Sequence, residues 1–283
     1  MILRPILELT VIIPGILLAY LPVKTYLRQQ PGRLTAWLLP LLAGICILGG
    51  VLCYTLRIST LPVLFVLLPF VMMIYHKTLR ITIWKSSSIF LAVCAVFACA
   101  NSLSRAVNAI LTARLNLTEN ELWFQVGAGV FYNGICLFFL LAAWYPASHA
   151  ARAMVTDENF AQTWYIFWIL PLIFIALNLF MVPTYRNTLY TGRILQGYIV
   201  ISLVLLLILI LFYAMFLMMA DSLNKNARLV QENYFLSLQR TRYENLCTAI
   251  EEARQARHDM RHHFVQLSSL AGNGDLEKIK TYL

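Results

Sequence analysis

The chain has 283 residues, of which 60% are hydrophobic and only 12% charged. A water-soluble domain carries about 25% charged and about 45–50% apolar residues, so the composition excludes a soluble fold of this length. The net charge of +9 comes from basic residues in loops and the tail. There they set topology and meet anionic lipid headgroups, so no nucleic acid partner is expected.

Seven apolar segments follow in chain order, at about 5–23, 34–55, 58–75, 88–111, 123–145, 163–183 and 196–219. Gly197 to Ala220 holds no ionisable residue except Tyr198 and Tyr213. At about 1.5 Å per residue it reaches about 35 Å, enough to cross a bilayer core. The second and third segments are separated only by Leu56 and Arg57, which predicts a tight helical hairpin. Pro14, Pro40, Pro62, Pro69 and Pro171 fall within spans and predict kinks. The six cysteines (Cys46, Cys53, Cys94, Cys99, Cys136, Cys247) fit neither a zinc spacing nor a disulfide framework. The first apolar run is long and lacks a small-residue cleavage site, so no cleavable signal peptide is expected.

Lys24, Arg28 and Arg33 follow the first segment; His76, Lys77, Arg80 and Lys85 follow the third. The alternate loops are poorer: Arg57 alone, then Arg114 beside Glu119 and Glu121, then Arg186 and Arg193. The positive-inside rule places the N-terminus outside and the C-terminus in the cytoplasm, a parity that seven spans satisfy. The Asn116-Leu117-Thr118 sequon then lies on the outer side.

At about Asp221 the composition turns polar and free of proline. One seven-residue series reads Leu229, Leu236, Tyr243, Ile250, Arg257, Phe264; a second reads Glu232, Gln239, Leu246, Ala253, Met260, Leu267. The match improves after Tyr243, which predicts a helix leaving the membrane and tightening into a coiled-coil or bundle seam. Ala271-Gly272-Asn273-Gly274-Asp275 is expected to end it, with Asp275 capping a new helix that begins at Leu276. The sequence stops about two turns into that helix, as if cut off where an antiparallel hairpin begins. No glycine-rich nucleotide motif occurs, so the chain itself is expected to bind no ATP.

The tail holds Arg257-His258-Asp259-Met260-Arg261-His262-His263, with Arg254 one turn earlier. Three readings compete. His258 and His262 share a helix face at a metal-ligand spacing, but the arginines repel a cation, so no metal is expected. A solvated charged face is the plain alternative. In the third reading a neutral imidazole accepts a phosphoryl group. His258 falls just outside the seam, Asp259 fixes its tautomer and acts as base, and the arginines balance the phosphate charge.

This element, followed by Gly-Asp-x-Glu-Lys-Ile-x-x-Tyr-Leu, resembles the dimerisation and phosphotransfer hairpin of bacterial sensor histidine kinases. Within that family it resembles the subgroup with multi-span sensors, the quorum-sensing peptide receptors of Gram-positive bacteria. The resemblance implies an all-α membrane protein, a seven-helix bundle followed by a cytoplasmic helical linker and the start of the hairpin. Its parts would be a sensor at 1–220, a signalling helix at 221–256 and a partial hairpin at 257–283. It implies His258 as phosphoacceptor, Asp259 as base, and Arg257, Arg261 and His262 around them. Many members carry Asn where this chain has His262, the position linked to phosphatase chemistry. The implied assembly is a homodimer in the bacterial inner membrane, with a response regulator as partner. ATP and Mg2+ serve the full-length kinase through a further domain.

Ionisable and amide groups inside spans are costly and point to function or to internal pairing. Asn101, Arg105, Asn108 and Thr112 form one stripe on the fourth segment, and Glu8 is expected at a similar depth. Glu8 and Arg105 are expected to pair or to line a cavity together; a stripe satisfied by packing is the alternative. With short outer loops, the signal would be a small peptide, a lipid-phase molecule or a state of the membrane. The alternative class is a transporter or a seven-helix receptor with a regulatory coiled tail. No repeat symmetry supports the first, and the second gives no reason for Arg-His-Asp.

Overall fold

The computed structural model describes residues 2–114, 122–156, 163–183, 189 and 192–272. These residues are almost all helical, with one isolated antiparallel bridge, Leu27 to Leu79, and no strand among them. The chain divides into two compact units, Met1–Asp221 and Ser222–Leu283.

In the first unit α1 (Leu3–Leu9) and α2 (Ile12–Tyr20) lead into α3 (Pro31–Leu56), α4 (Thr60–Lys77) and α5 (Ile83–Arg114). Then come α6 (Val126–Ala142), the short α7 (Trp144–Pro146), a π turn at Ala147–Ala151 and α8 (Arg152–Thr156). Next are α9 (Trp164–Phe167), α10 (Ile169–Phe180) and α11 (Gly192–Gly272). Prolines place three of the breaks. A proline lacks an N–H, and its ring crowds the carbonyl four residues back. Those carbonyls belong to Thr10 for Pro14, Ala142 for Pro146 and Phe167 for Pro171. Thr10 lies between α1 and α2, α6 stops at Ala142, and α9 stops at Phe167. Pro40 and Pro69 are carried inside α3 and α4. Pro62 sits in the first turn of α4, where no helical bond is lost.

Five helices are long and apolar enough to cross a membrane: Leu3–Tyr20, Pro31–Leu56, Thr60–Lys77, Ile83–Arg114 and Arg193–Met219. Val126–Ala142 with Trp144–Thr156, bent by 46°, makes a sixth if the pair is one span. Trp164–Phe180 is apolar but reaches only about 25 Å, less than the about 30 Å of a hydrocarbon core. Each of the seven expected segments thus falls on a helix, and five of them meet the length criterion outright.

The surface of this unit is that of a membrane protein. Leu48, Val66, Phe138, Leu141 and Phe180 point outward, Phe180 at 89% exposure. So much exposed apolar surface is stable against lipid and not against water. Trp84 packs on Tyr165 and Trp168 at one end of the bundle, and Tyr54 on Trp123 at the other. Amphipathic rings favour those two interfacial depths.

The basic loops gather at one end. The Arg28 N–H donates to Thr78 O (2.9 Å), the Arg80 N–H to Tyr26 O (2.8 Å) and Arg28 Nε to Leu79 O (2.9 Å). Lys85 Nζ donates to Val155 O at the same end (2.9 Å). At the opposite end the α3–α4 hairpin turns at Arg57, whose φ of 50° closes the helix with a left-handed cap.

The α1–α2 pair is threaded through the bundle. Small residues admit it: Gly50 of α3 lies against the Ile6 backbone, Gly15 against Phe97 of α5, and Gly129 of α6 against Leu7. The main core joins Leu9 and Ile16 to Leu38, Leu42, Val71 and Tyr75. Cys46, Cys53, Cys99 and Cys136 are buried and free, as small apolar residues would be.

In the second unit the described residues belong to α11, which ends at Gly272. Leu229, Leu236, Tyr243, Leu246, Ile250, Met260 and Phe264 are all exposed along it. The expected second helix of the hairpin and the Asn116 sequon lie outside the described residues.

A Cβ at Gly50 would come within 3.0 Å of the Ile6 backbone, whereas Gly44 has open space around it. We expect Gly50→Ala to destabilise the detergent-solubilised protein by about 1–3 kcal/mol. Gly44→Ala leaves its thermal midpoint in place, and equal midpoints for the two variants would contradict the α1–α3 packing.

Candidate functional site

Two clusters carry the chemistry, one in each unit. In the second unit the helix repeat brings Arg254, His258 and Arg261 onto one face, at i, i+4 and i+7. The His258 ring thus lies between two guanidinium-bearing positions, one turn to either side. All three residues are exposed, and the His258 side chain is 70% open to solvent. His258 Nδ1 lies 3.4 Å from Asp259 Oδ1. That distance is long for a hydrogen bond because consecutive helical side chains diverge by about 100°. With the proton on Nδ1, the contact leaves the Nε2 lone pair bare. His258 and His262 rings approach to 5.2 Å at 55°. Arg257 and Met260 lie on the adjoining face with Phe264, all exposed. Among the described residues no three His, Cys, Asp or Glu side chains are grouped to hold a metal ion.

The first unit holds a cavity of about 170 Å³, walled by α1, α2, α4, α5, α6 and α10. Glu8, Asn101 and Arg105 all line it. Glu8 is 4% exposed. Its carboxylate accepts from the Thr60 hydroxyl at the start of α4 and from the Phe124 backbone N–H ahead of α6. Arg105 Nε donates to Asn101 Oδ1 (2.9 Å), one turn back on α5. The guanidinium stands 5.4 Å over the Phe124 ring, a cation–π distance. Phe124 therefore serves both charges, Glu8 through its N–H and Arg105 through its ring. Asn108 does not line the cavity: its Oδ1 accepts from the Gln125 N–H (2.7 Å), the residue that opens α6. Thr112 donates back to Asn108 O (2.8 Å).

Several members of this cluster have no counterpart in the sequence reading. Asn178 donates to Cys99 Sγ and Phe174 O and accepts from the Ser102 hydroxyl (2.8 Å), joining α10 to α5. Asn133 donates to Leu7 O (2.8 Å) and accepts from Thr10 (3.0 Å), joining α6 to the α1–α2 break. Both are amides inside apolar segments, the signal that singled out Asn101 and Asn108. Phe124 contributes a backbone group and a ring, which no residue-type rule would find.

No known protein family, curated protein or solved structure matches the chain. The likeness to sensor kinases therefore rests on the motif around His258.

Thr60→Val would leave the buried Glu8 carboxylate short of a donor, a loss of about 1–3 kcal/mol. We expect a lower thermal midpoint for that variant and for Glu8→Gln. The double variant should lose less than the sum of the two, as groups in direct contact do. Strict additivity would show that the two side chains do not interact.

Proposed function

We propose that the chain is the membrane sensor and phosphoacceptor portion of a receptor histidine kinase. The observation that carries the reading is an exposed His258 flanked by arginines one turn above and below, with Asp259 at its side. In the reaction, His258 Nε2 attacks the γ-phosphorus of ATP held by a separate ATP-binding domain. An N–P bond forms and the P–O bond to ADP breaks. Asp259 stabilises the Nδ1–H that the ring now carries as a cation, and Arg254 and Arg261 face the phosphoryl oxygens. The phosphoryl group then passes to an aspartate of a response regulator, restoring neutral His258. ATP and its Mg2+ are substrate and ion of the other domain; this chain accepts and hands on.

In this reading the protein is a homodimer. The exposed apolar residues of α11, above all Tyr243, Ile250, Met260 and Phe264, supply a seam for a second copy. The first unit crosses a bacterial inner membrane seven times. The bent α6–α8 pair and Trp164–Phe180 complete the count with the five long helices. The clustering of Lys24, Arg28, Lys77, Arg80 and Lys85 at one end favours that end as cytoplasmic.

The test is to supply the tail with an ATP-binding domain from a related kinase and to look for acid-labile, base-stable phosphate. Label that disappears in His258→Gln but persists in His262→Gln and His263→Gln supports the assignment. Label that persists in His258→Gln ends it.

A further inference from the structure

The geometry points to the cavity of the first unit as a binding site for a lipid-soluble monocarboxylic acid, its carboxylate held by Arg105. This goes beyond the phosphotransfer reading and stands or falls without it.

Arginine carries five N–H donors in a rigid fork. The described contacts of Arg105 use one of them, Nε–H to Asn101, while the guanidinium face rests on Phe124. The other four donors, on the two Nη atoms, are the pair-forming edge that matches a carboxylate. Asn101 and Phe124 hold the side chain in place, so little conformational freedom is lost on binding. Glu8, the other charge on the wall, is already engaged by Thr60 and Phe124. The recognition charge left to a ligand is therefore positive.

Most of the remaining wall is apolar: Val11 just ahead of α2, Ile16 of α2, Leu64 and Leu68 of α4, and Ile175 of α10 among others, with Ser102, Tyr132 and Asn178 also on it. A cavity of about 150 Å³ lined by such side chains holds a benzene ring. At about 170 Å³ this one accepts a body of that size beside the charged end. Access is lateral. Phe65 of α4 and Leu179 of α10 line the cavity and are also 54% and 40% exposed on the lipid-facing surface. A ligand arriving between them crosses hydrocarbon. A monocarboxylic acid does so in its neutral form, whereas a phosphate or a zwitterion would carry charge the whole way. A compact acid from outside the cell and a fatty acid of the membrane, with its tail left between α4 and α10, share this chemistry.

The test measures binding to the whole chain in phosphatidylcholine nanodiscs without ATP, with empty discs as the blank. The probe is radiolabelled 3-phenylpropionate. We expect saturable binding, at least tenfold weaker for the neutral 3-phenylpropanamide and for Arg105→Gln. Ala98→Leu, which fills the cavity and leaves every charge in place, should weaken binding at least tenfold. Circular dichroism and gel filtration confirm that each variant is folded. Displacement of the probe by equimolar octanoate identifies membrane fatty acid as the source; failure to displace it identifies a compact acid.

Absence of saturable binding overturns the proposal, as does equal binding of the amide. So does an effect of Arg105→Gln without one of Ala98→Leu, which places the acid outside the cavity. No ATP enters the measurement, so its failure leaves phosphorylation of His258 untouched, and loss of label at His258 leaves this site untouched.

Discussion

The bundle depends on one carboxylate that cannot leave. Glu8 sits in the first turns of a helix threaded among four others, in surroundings where an unsatisfied charge costs several kcal/mol. It is satisfied by a hydroxyl 52 residues away and a backbone N–H 116 residues away. Forming those bonds brings the start of α4 and the entry to α6 to the same level of the bundle. Leu7 then packs on Gly129, and Asn133 closes on Leu7 O. A non-directional apolar core could not fix that level, since apolar helices slide against one another in lipid at little cost.

Backbone chemistry then shapes the cavity. Because Pro14 cannot donate to the Thr10 carbonyl, the helix is interrupted between α1 and α2, just after Glu8. Thr10 turns its hydroxyl to Leu7 O and to Asn133. Val11, Ile12 and Ile16, just past this break, line the cavity. The cavity thus lies beside a break in the central helix. Its charged wall is set by Glu8 and Arg105, and much of its apolar wall by the residues beyond the break.

Much of this is legible in the amino-acid sequence because lipid leaves few options. The positions of the apolar segments, the hairpin at Arg57 and the helix breaks ahead of Pro14 and Pro171 all follow from backbone satisfaction in hydrocarbon. The effect of Pro146 escapes such reading because it stands just past an apolar run, where a proline looks like a loop. The stripe Asn101, Arg105, Asn108 marks the correct helix face, yet its members do different work. Arg105 and Asn101 face the cavity while Asn108 ties down Gln125, the residue just ahead of α6. Helical spacing gives the face but not the neighbour, and the neighbour here comes from a loop. His258 is a different case: on a single helix its face follows from the repeat alone, so the placement among Arg254 and Arg261 needs no tertiary information.

The two sides of α5 differ in how firmly they are held. Toward the entry to α6 its polar groups are matched: Asn101 holds Arg105 within α5, Arg105 lies over Phe124, and Asn108 accepts from Gln125. Toward the membrane part of α11 the contacts are mostly apolar, around Leu209 and Ala95, with Tyr213 donating to Ala92 O (3.1 Å). The Ser202 hydroxyl on α11 is fully buried and makes no hydrogen bond among the described residues. An interface that leaves a buried hydroxyl unpaired has less to lose by a small rotation than one whose polar groups are all matched. The side of α5 near Phe124 therefore carries the more specific contacts, and the side that touches α11 is held mostly by apolar packing. Under the proposed reading that asymmetry suits a sensor, because α11 is also the helix that carries His258. An input held at Arg105 would act where the polar contacts are specific, and a movement would be taken up where the packing is least specific.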